Sequence, residues 1–95
     1  MKIIIANPPN ISAIKLAFPL SGNEIFAWGD IIYNPSGTMI PAWLIAHEEI
    51  HQKQQGDDVQ GWWDRYLIDA EWRFTQELEA HQKEYRIYCV QNKDR

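Results

Sequence analysis

Cysteine is almost absent from this 95-residue chain, with Cys89 standing alone. No disulfide can close within the chain, which points to a reducing compartment. Cys89 reads as a small apolar residue on a helix rather than a nucleophile. Long apolar runs are missing as well. Lys2 and the isoleucines at 3–5 imitate the start of an export signal, but Asn7, Pro8, Pro9 and Asn10 cut the run short. No segment reaches membrane-spanning length, so the expected setting is cytoplasmic with no membrane partner. There is no excess of positive charge either: 9 Lys+Arg against 13 Asp+Glu leave a net charge of −4. A polyanion would be repelled rather than steered in, and no nucleic-acid partner is expected. Repeats, low-complexity tracts and linkers are lacking too. Residues 1–95 therefore read as a single minimal domain.

Aromatic residues, by contrast, are plentiful. An apolar fraction of 45%, with five tryptophans, is enough for a real core. A bound metal would still add useful stability at this size. "KIIIA" reads as a short strand. A short helix follows from Asn10, which can cap it, with Ile11, Ile14 and Phe18 at helical spacing. "EIFAWGDIIYNPSG" is the clearest strand region, either a hairpin turning at Gly29-Asp30 or one bent strand with a bulge. A helix is expected from Pro41 to Gln55, closed by Gly56. "DDVQGWWDRYL" reads as a short helix or a compact loop. Asp69 can cap a long last helix from Ala70 to Val90, after which "QNKDR" frays. Strands early and helices late make an α+β layout.

The stretch "LIAHEEIHQKQQG" places His47 and His51 four residues apart on the helix expected from Pro41 to Gln55. Residues at that spacing project from a helix about 40° apart, so both imidazoles can reach one metal ion. Glu48, about 100° further round, comes within reach of a water on that metal and is the candidate general base. On a helical wheel Trp43, Ala46 and Ile50 form the apolar face, and the two histidines fall at its margin, half-buried. A chance H-E-x-x-H on a solvated helix is the competing reading.

A zinc hydrolase ordinarily holds its metal with three protein ligands and leaves one position open. Glu71, Glu77, Glu79 and Glu84 of the last helix are the candidates for the third. Its wheel puts Phe74, Leu78, Tyr85 and Tyr88 on an inward stripe, with Glu77 and His81 inside it. A carboxylate in such a stripe is costly unless paired or metal-bound, so Glu77 is the expected ligand. Glu84 is the fallback, and Glu79 is expected in solvent. His81, one turn on, can orient a ligand or stabilise an oxyanion. Tyr85 can do the latter, although core packing is its simpler role. Arg65 and Arg73 are expected to pair with nearby acids, and Trp62 and Trp63 to cover the core.

His47-Glu48-x-x-His51 followed by Glu77-Leu78-Glu79-Ala80 resembles the gluzincin metallopeptidases, and in size the minigluzincins. The wording of residues 25–88 is also similar to small proteins of bacteria and their phages. The resemblance implies a zincin-like fold: a small sheet of about three strands on an active-site helix and a long C-terminal glutamate helix. It further implies Zn²⁺ on His47, His51 and Glu77, with Glu48 as base, and a peptide or protein substrate, peptidoglycan peptides included. The "IFAWGDIIYN" segment would then be an edge strand above the cleft, able to bind an extended peptide. Many gluzincins carry Asp four residues after the glutamate ligand, where this chain has His81. The second expectation is of a different class: a metal-stabilised binding or structural protein without turnover.

Overall fold

The computed structural model describes residues 2–92; of the fraying expected at 91–95, Gln91 and Asn92 instead continue the last helix, and 93–95 lie outside the described residues. Strand β1 (Lys2–Ile4) leads into α1 (Ile11–Ala17), then the short strands β2 (Phe26–Trp28) and β3 (Ile31–Tyr33). Three helices follow: α2 (Ala42–Gln55), α3 (Val59–Ile68) and α4 (Ala70–Asn92). The sheet order is β1-β3-β2, with β1 parallel and β2 antiparallel to the central β3. This is the expected α+β class with three strands.

Of the two readings of the strand region, the hairpin is the one formed. Trp28 pairs with Ile31 across Gly29 and Asp30. Gly29 has φ +61° and among the described residues no non-glycine has positive φ, the pattern of a tight turn with glycine at its first central position. The short helix near Asn10 is also present, but Asn10 does not cap it with its side chain. Both polar atoms of that side chain are buried without a partner. The tryptophan-rich segment is a helix, not a loop. Asp58 caps it, accepting from the Gly61 amide at 2.9 Å. Asp69 closes α3 and caps α4, accepting from the Trp72 amide at 3.0 Å.

The core gathers Ile14, Phe26, Trp62 and Trp63, with Phe18, Tyr66 and Trp72 packed around them. The indoles are anchored at their polar ends: Trp63 Nε1 donates to the Ala27 carbonyl at 3.0 Å, and Trp62 Nε1 to Gln76 Oε1 at 2.9 Å. Gln55, in the last turn of α2, holds the hairpin from the other side. Its Nε2 donates to the Ala27 carbonyl and its Oε1 accepts from the Gly29 amide, both at 2.8 Å.

Helices α2 and α4 lie antiparallel, with Trp43 against Tyr88, His47 against Glu84, His51 against Glu77 and Gln54 against Gln76. Their contact face overturns the stripe expected on α4. Phe74 is 67% exposed, Leu78 47%, Tyr85 69% and Tyr88 47%, whereas Ala80 is fully buried. The face turned to α2 runs through Gln76, Glu77, Ala80 and Glu84. The wheel failed because it ranked faces by apolar content, and the buried face of α4 carries the polar groups that meet the histidines. The same bias misplaced α2, whose buried side is Ala46, His47, Glu48, His51 and Gln55. Among the described residues no helix is long and apolar enough to cross a membrane.

Candidate metal centre

Three ligand-type atoms converge between α2 and α4. His47 Nε2 and His51 Nε2 stand 3.1 Å apart, Glu77 Oε1 lies 2.6 Å from His51 Nε2, and Glu77 Oε2 lies 3.5 Å from His47 Nε2. Two ligands of a tetrahedral ion with bonds near 2.0–2.1 Å stand about 3.3 Å apart, so the triad already has that scale. The histidines are 7% and 5% exposed. They lie deeper than the half-buried position the wheel gave them.

The outer nitrogens fix the ring tautomers. His47 Nδ1 is 2.8 Å from Glu84 Oε1, and a carboxylate there accepts, so Nδ1 carries the proton. His51 Nδ1 is 2.8 Å from Gln54 Oε1. The amide of Gln54 is oriented by two acceptors for its Nε2, the Gln76 carbonyl at 3.0 Å and Glu79 Oε1 at 2.7 Å. With both Nδ1 atoms donating, the neutral rings turn two lone pairs towards each other and towards the Glu77 carboxylate. Three converging donors of electron pairs repel unless a cation, or a proton, sits among them. Burial opposes charge on either ring, yet the carboxylates beside them, Glu77 foremost, prevail and hold both above the ordinary imidazole value. Burial likewise opposes charge on Glu77, but with a proton on Nε2 the two imidazoles donate hydrogen bonds that hold it well below the carboxylate range. His47, His51 and Glu77 can hold a metal ion.

Glu48 is 5% exposed and stands 3.9 Å from His47 Nε2. Burial pushes its carboxyl up to about 8; His51 pulls the other way, while Glu77 and Glu84 add to the rise. A divalent cation on the triad would pull it back down. Glu48 and the triad open on a cavity of about 360 Å³, walled by Ile14, Phe18, Phe26, Leu44, Trp62 and Trp63. The two tryptophans thus line the cavity as well as the core.

The structure separates the remaining candidates. Glu84, the fallback ligand, instead orients His47 from outside the triad, two helical turns beyond Glu77. It supplies the holding carboxylate that the residue at 81 does not. His81 is largely exposed, its Nε2 3.6 Å from Glu77 and its Nδ1 3.6 Å from Glu84. It does not line the cavity. Tyr85 points to the surface and is neither core nor cavity wall. Glu79 is exposed, as expected, and from there accepts from Gln54 Nε2 at 2.7 Å. Arg65 pairs with Asp69 at 3.3 Å, as expected. Arg73 instead donates to the Tyr66 carbonyl at 2.7 Å and lies over the Phe18 ring.

Two residues escaped the sequence reading. Gln54 lay outside the short motif. Tyr66 lines the cavity, stacks on Trp62 at 4.9 Å and is pushed up by burial and by the Glu77 carboxylate, so its phenol keeps its proton. Its spacing from His51 in the chain gave no signal, because only the α2–α3 turn brings it to the site.

Of the segment expected as an edge strand, β2 does end the sheet, with Ala27 lining the cavity, but β3 is its central strand. Next to the closing pair of a two-residue hairpin, the backbone N–H and C=O point away from the partner strand. The outward carbonyl of Ala27 already accepts from Gln55 and Trp63. Comparison with family models, curated proteins and solved structures found no match to this chain, so its function is argued from this geometry.

Proposed function

We propose that the chain is a zinc-dependent hydrolase of an amide bond, most simply a peptide bond, with a zincin-like arrangement. The observation that carries this reading is the triad of His47, His51 and Glu77, with both histidines locked to present Nε2, at the floor of an apolar cavity beside Glu48. Two imidazoles and one carboxylate are a donor set suited to Zn²⁺ with a position left open. Zinc there would supply Lewis acidity that makes water nucleophilic and polarises the carbonyl. Glu84 and Gln54 hold the rings in the ligating tautomer. Glu48, buried beside the triad and lining the cavity, takes the proton of the attacking water. It then passes that proton to the nitrogen of the departing amine. Tyr66, kept protonated, faces the cavity as donor to the oxygen that gains charge. The apolar walls suit a substrate with a large aliphatic or aromatic side chain.

The agreement with the gluzincin resemblance lies in Glu77, with Glu84 taking over a role that the family places nearer its ligand. One observation favours the second reading, a metal-stabilised binding protein without turnover. The Ala27 carbonyl, a natural anchor for an extended peptide, is already occupied. Elemental analysis of wild type and Glu77→Ala, with peptide hydrolysis by wild type and Glu48→Gln, tests both. The expected result is zinc in wild type and Glu48→Gln, little in Glu77→Ala, and turnover in wild type alone. Undiminished metal in Glu77→Ala would overturn the ligand set. Full activity in Glu48→Gln would overturn the mechanism, and metal without turnover in any protein would leave the binding reading.

A further inference from the structure

Arg73 carries a charge that the fold does not neutralise. On a helix its natural partners lie one turn away on either side, and both are taken. Asp69 pairs with Arg65 at 3.3 Å, and Glu77 with His51 at 2.6 Å. No carboxylate of the described residues lies within ion-pair distance of Arg73. The half-buried guanidinium is nevertheless held in place. Its central carbon stands 4.9 Å from the Phe18 ring centre and 5.7 Å from that of Tyr66. Of its five N–H groups, one on Nη1 goes to the Tyr66 carbonyl at 2.7 Å. The edge formed by Nε and Nη2 meets no acceptor among the described residues.

This arginine lines a shallow groove of about 350 Å³ with Phe18, Tyr66, Ala70, Phe74 and Glu77. Phe18, Tyr66 and Glu77 also line the main cavity, so the two hollows meet beside the metal triad. Their charges differ. The main cavity is lined by Glu24, Glu48 and Glu77 with no lysine or arginine. In the groove Glu77 is the only acid, and the histidines engage it. A substrate lying across both hollows would have negative charge repelled on one side of the triad and attracted on the other.

We propose that Arg73 anchors a carboxylate of the substrate, carried by the residue that follows the scissile amide, while the preceding apolar side chain fills the main cavity. A carboxylate presents two coplanar oxygens, and the unengaged Nε–Nη2 edge offers two parallel donors to match them. The carboxylate can be a chain terminus or an acidic side chain, since both present the same pair of oxygens. The proposal deepens the hydrolytic reading and rests on it for the position of the scissile bond.

Calorimetry on Glu48→Gln, in which turnover should stop, tests it with three probes: N-acetyl-phenylalanyl-leucine, its C-terminal amide, and N-acetyl-phenylalanyl-glutamyl amide. A probe bearing a carboxylate should bind about tenfold more tightly than the leucyl amide, the lower end for a charge-assisted contact because Arg73 is only half-buried. Adding Arg73→Gln should cut that ratio below about twofold by weakening the acid. Arg73→Lys keeps a donor for the Tyr66 carbonyl but not the planar edge, and should retain about threefold. If Arg73→Gln fails to fold by circular dichroism, Arg73→Lys decides, and a ratio as high as with Arg73 would overturn the anchor. Preference for the free acid alone assigns the anchor to a chain terminus, for the glutamyl amide alone to an acidic side chain, and for both to either. Equal binding of all three probes, binding of none, or a preference that survives Arg73→Gln would overturn the proposal. Hydrolysis by wild type keeps the two readings apart. Cleavage of all three probes at equal kcat/KM would sink the anchor alone, and carboxylate preference in binding without any cleavage would sink the hydrolytic reading alone.

Discussion

Glu84 offers a way to measure how much of the metal grip comes from outside the three ligands. Its carboxylate accepts from His47 Nδ1 at 2.8 Å, with a quarter of the side chain open to solvent. Removing such a partner ordinarily weakens metal binding by ~10–100-fold. The bond is charge-assisted and so roughly twice as strong as a neutral one. Partial exposure lets water replace some of it. The middle of the range then applies: Glu84→Ala should bind zinc about thirtyfold more weakly, or about 2 kcal/mol. Gln54→Ala removes a neutral acceptor from His51 and should cost about tenfold or less. Glu77→Ala, which removes a ligand outright, should exceed both. Competition against a chromophoric chelator gives the three affinities, with circular dichroism to verify that α4 is intact. Zinc affinity of Glu84→Ala within about threefold of wild type would show that the carboxylate does not hold the ring. A larger loss in Gln54→Ala than in Glu84→Ala would refute the ranking by charge.

Tyr66→Phe should keep its zinc and lower kcat by ~10²–10³ with little change in KM; unchanged kcat would remove the phenol from the mechanism. Stripping the metal with a chelator should lower Tm. Zinc at ~100–1,000 times its Kd stabilises by about 2.7–4.1 kcal/mol, on the order of 10–30 °C for a domain of this size, read by calorimetry. A chelated protein melting with the untreated one would contradict a resident ion. Gln55→Ala leaves the half-buried Gly29 amide without its partner and should cost about 1–2 kcal/mol, seen as a lower urea midpoint at constant slope. No shift in midpoint would mean that the hairpin does not depend on α2.

The convergence of His47 and His51 was legible in the sequence because their spacing is dictated by the helix itself, whereas Glu77 was picked from a stripe that turns out to face solvent. His47 and His51 project together on any α-helix, and a carboxylate on the buried side of a later helix needs a cation or a partner. The turn at Gly29-Asp30 was legible for a similar local reason. What stayed hidden depends on which faces meet. Phe74, Leu78, Tyr85 and Tyr88 make the most apolar face of α4, yet α2 packs on the side bearing Glu77 and Glu84. The polar partners outweigh apolar area at that contact, and a wheel drawn for one helix cannot know what its neighbour presents. Tyr66 was invisible because the α2–α3 turn, not sequence proximity, carries it to the cavity. Gln54 was missed because an amide is seldom counted when ligands are sought, although only an acceptor of its reach can fix the His51 ring.

The candidate triad and the side chains that hydrogen-bond to its histidines, Glu84 and Gln54, belong to α2 and α4, while the cavity above them is closed largely by α1, α3 and the segment from Ile25 to Ala27. Grip and fit are therefore built from different parts of the chain. Substitutions at Ile14, Phe18, Ile25 or Phe26 can reshape the cavity without touching the triad. A pair of antiparallel rods bearing the same few side chains would carry the ion-holding half of this device into an unrelated scaffold.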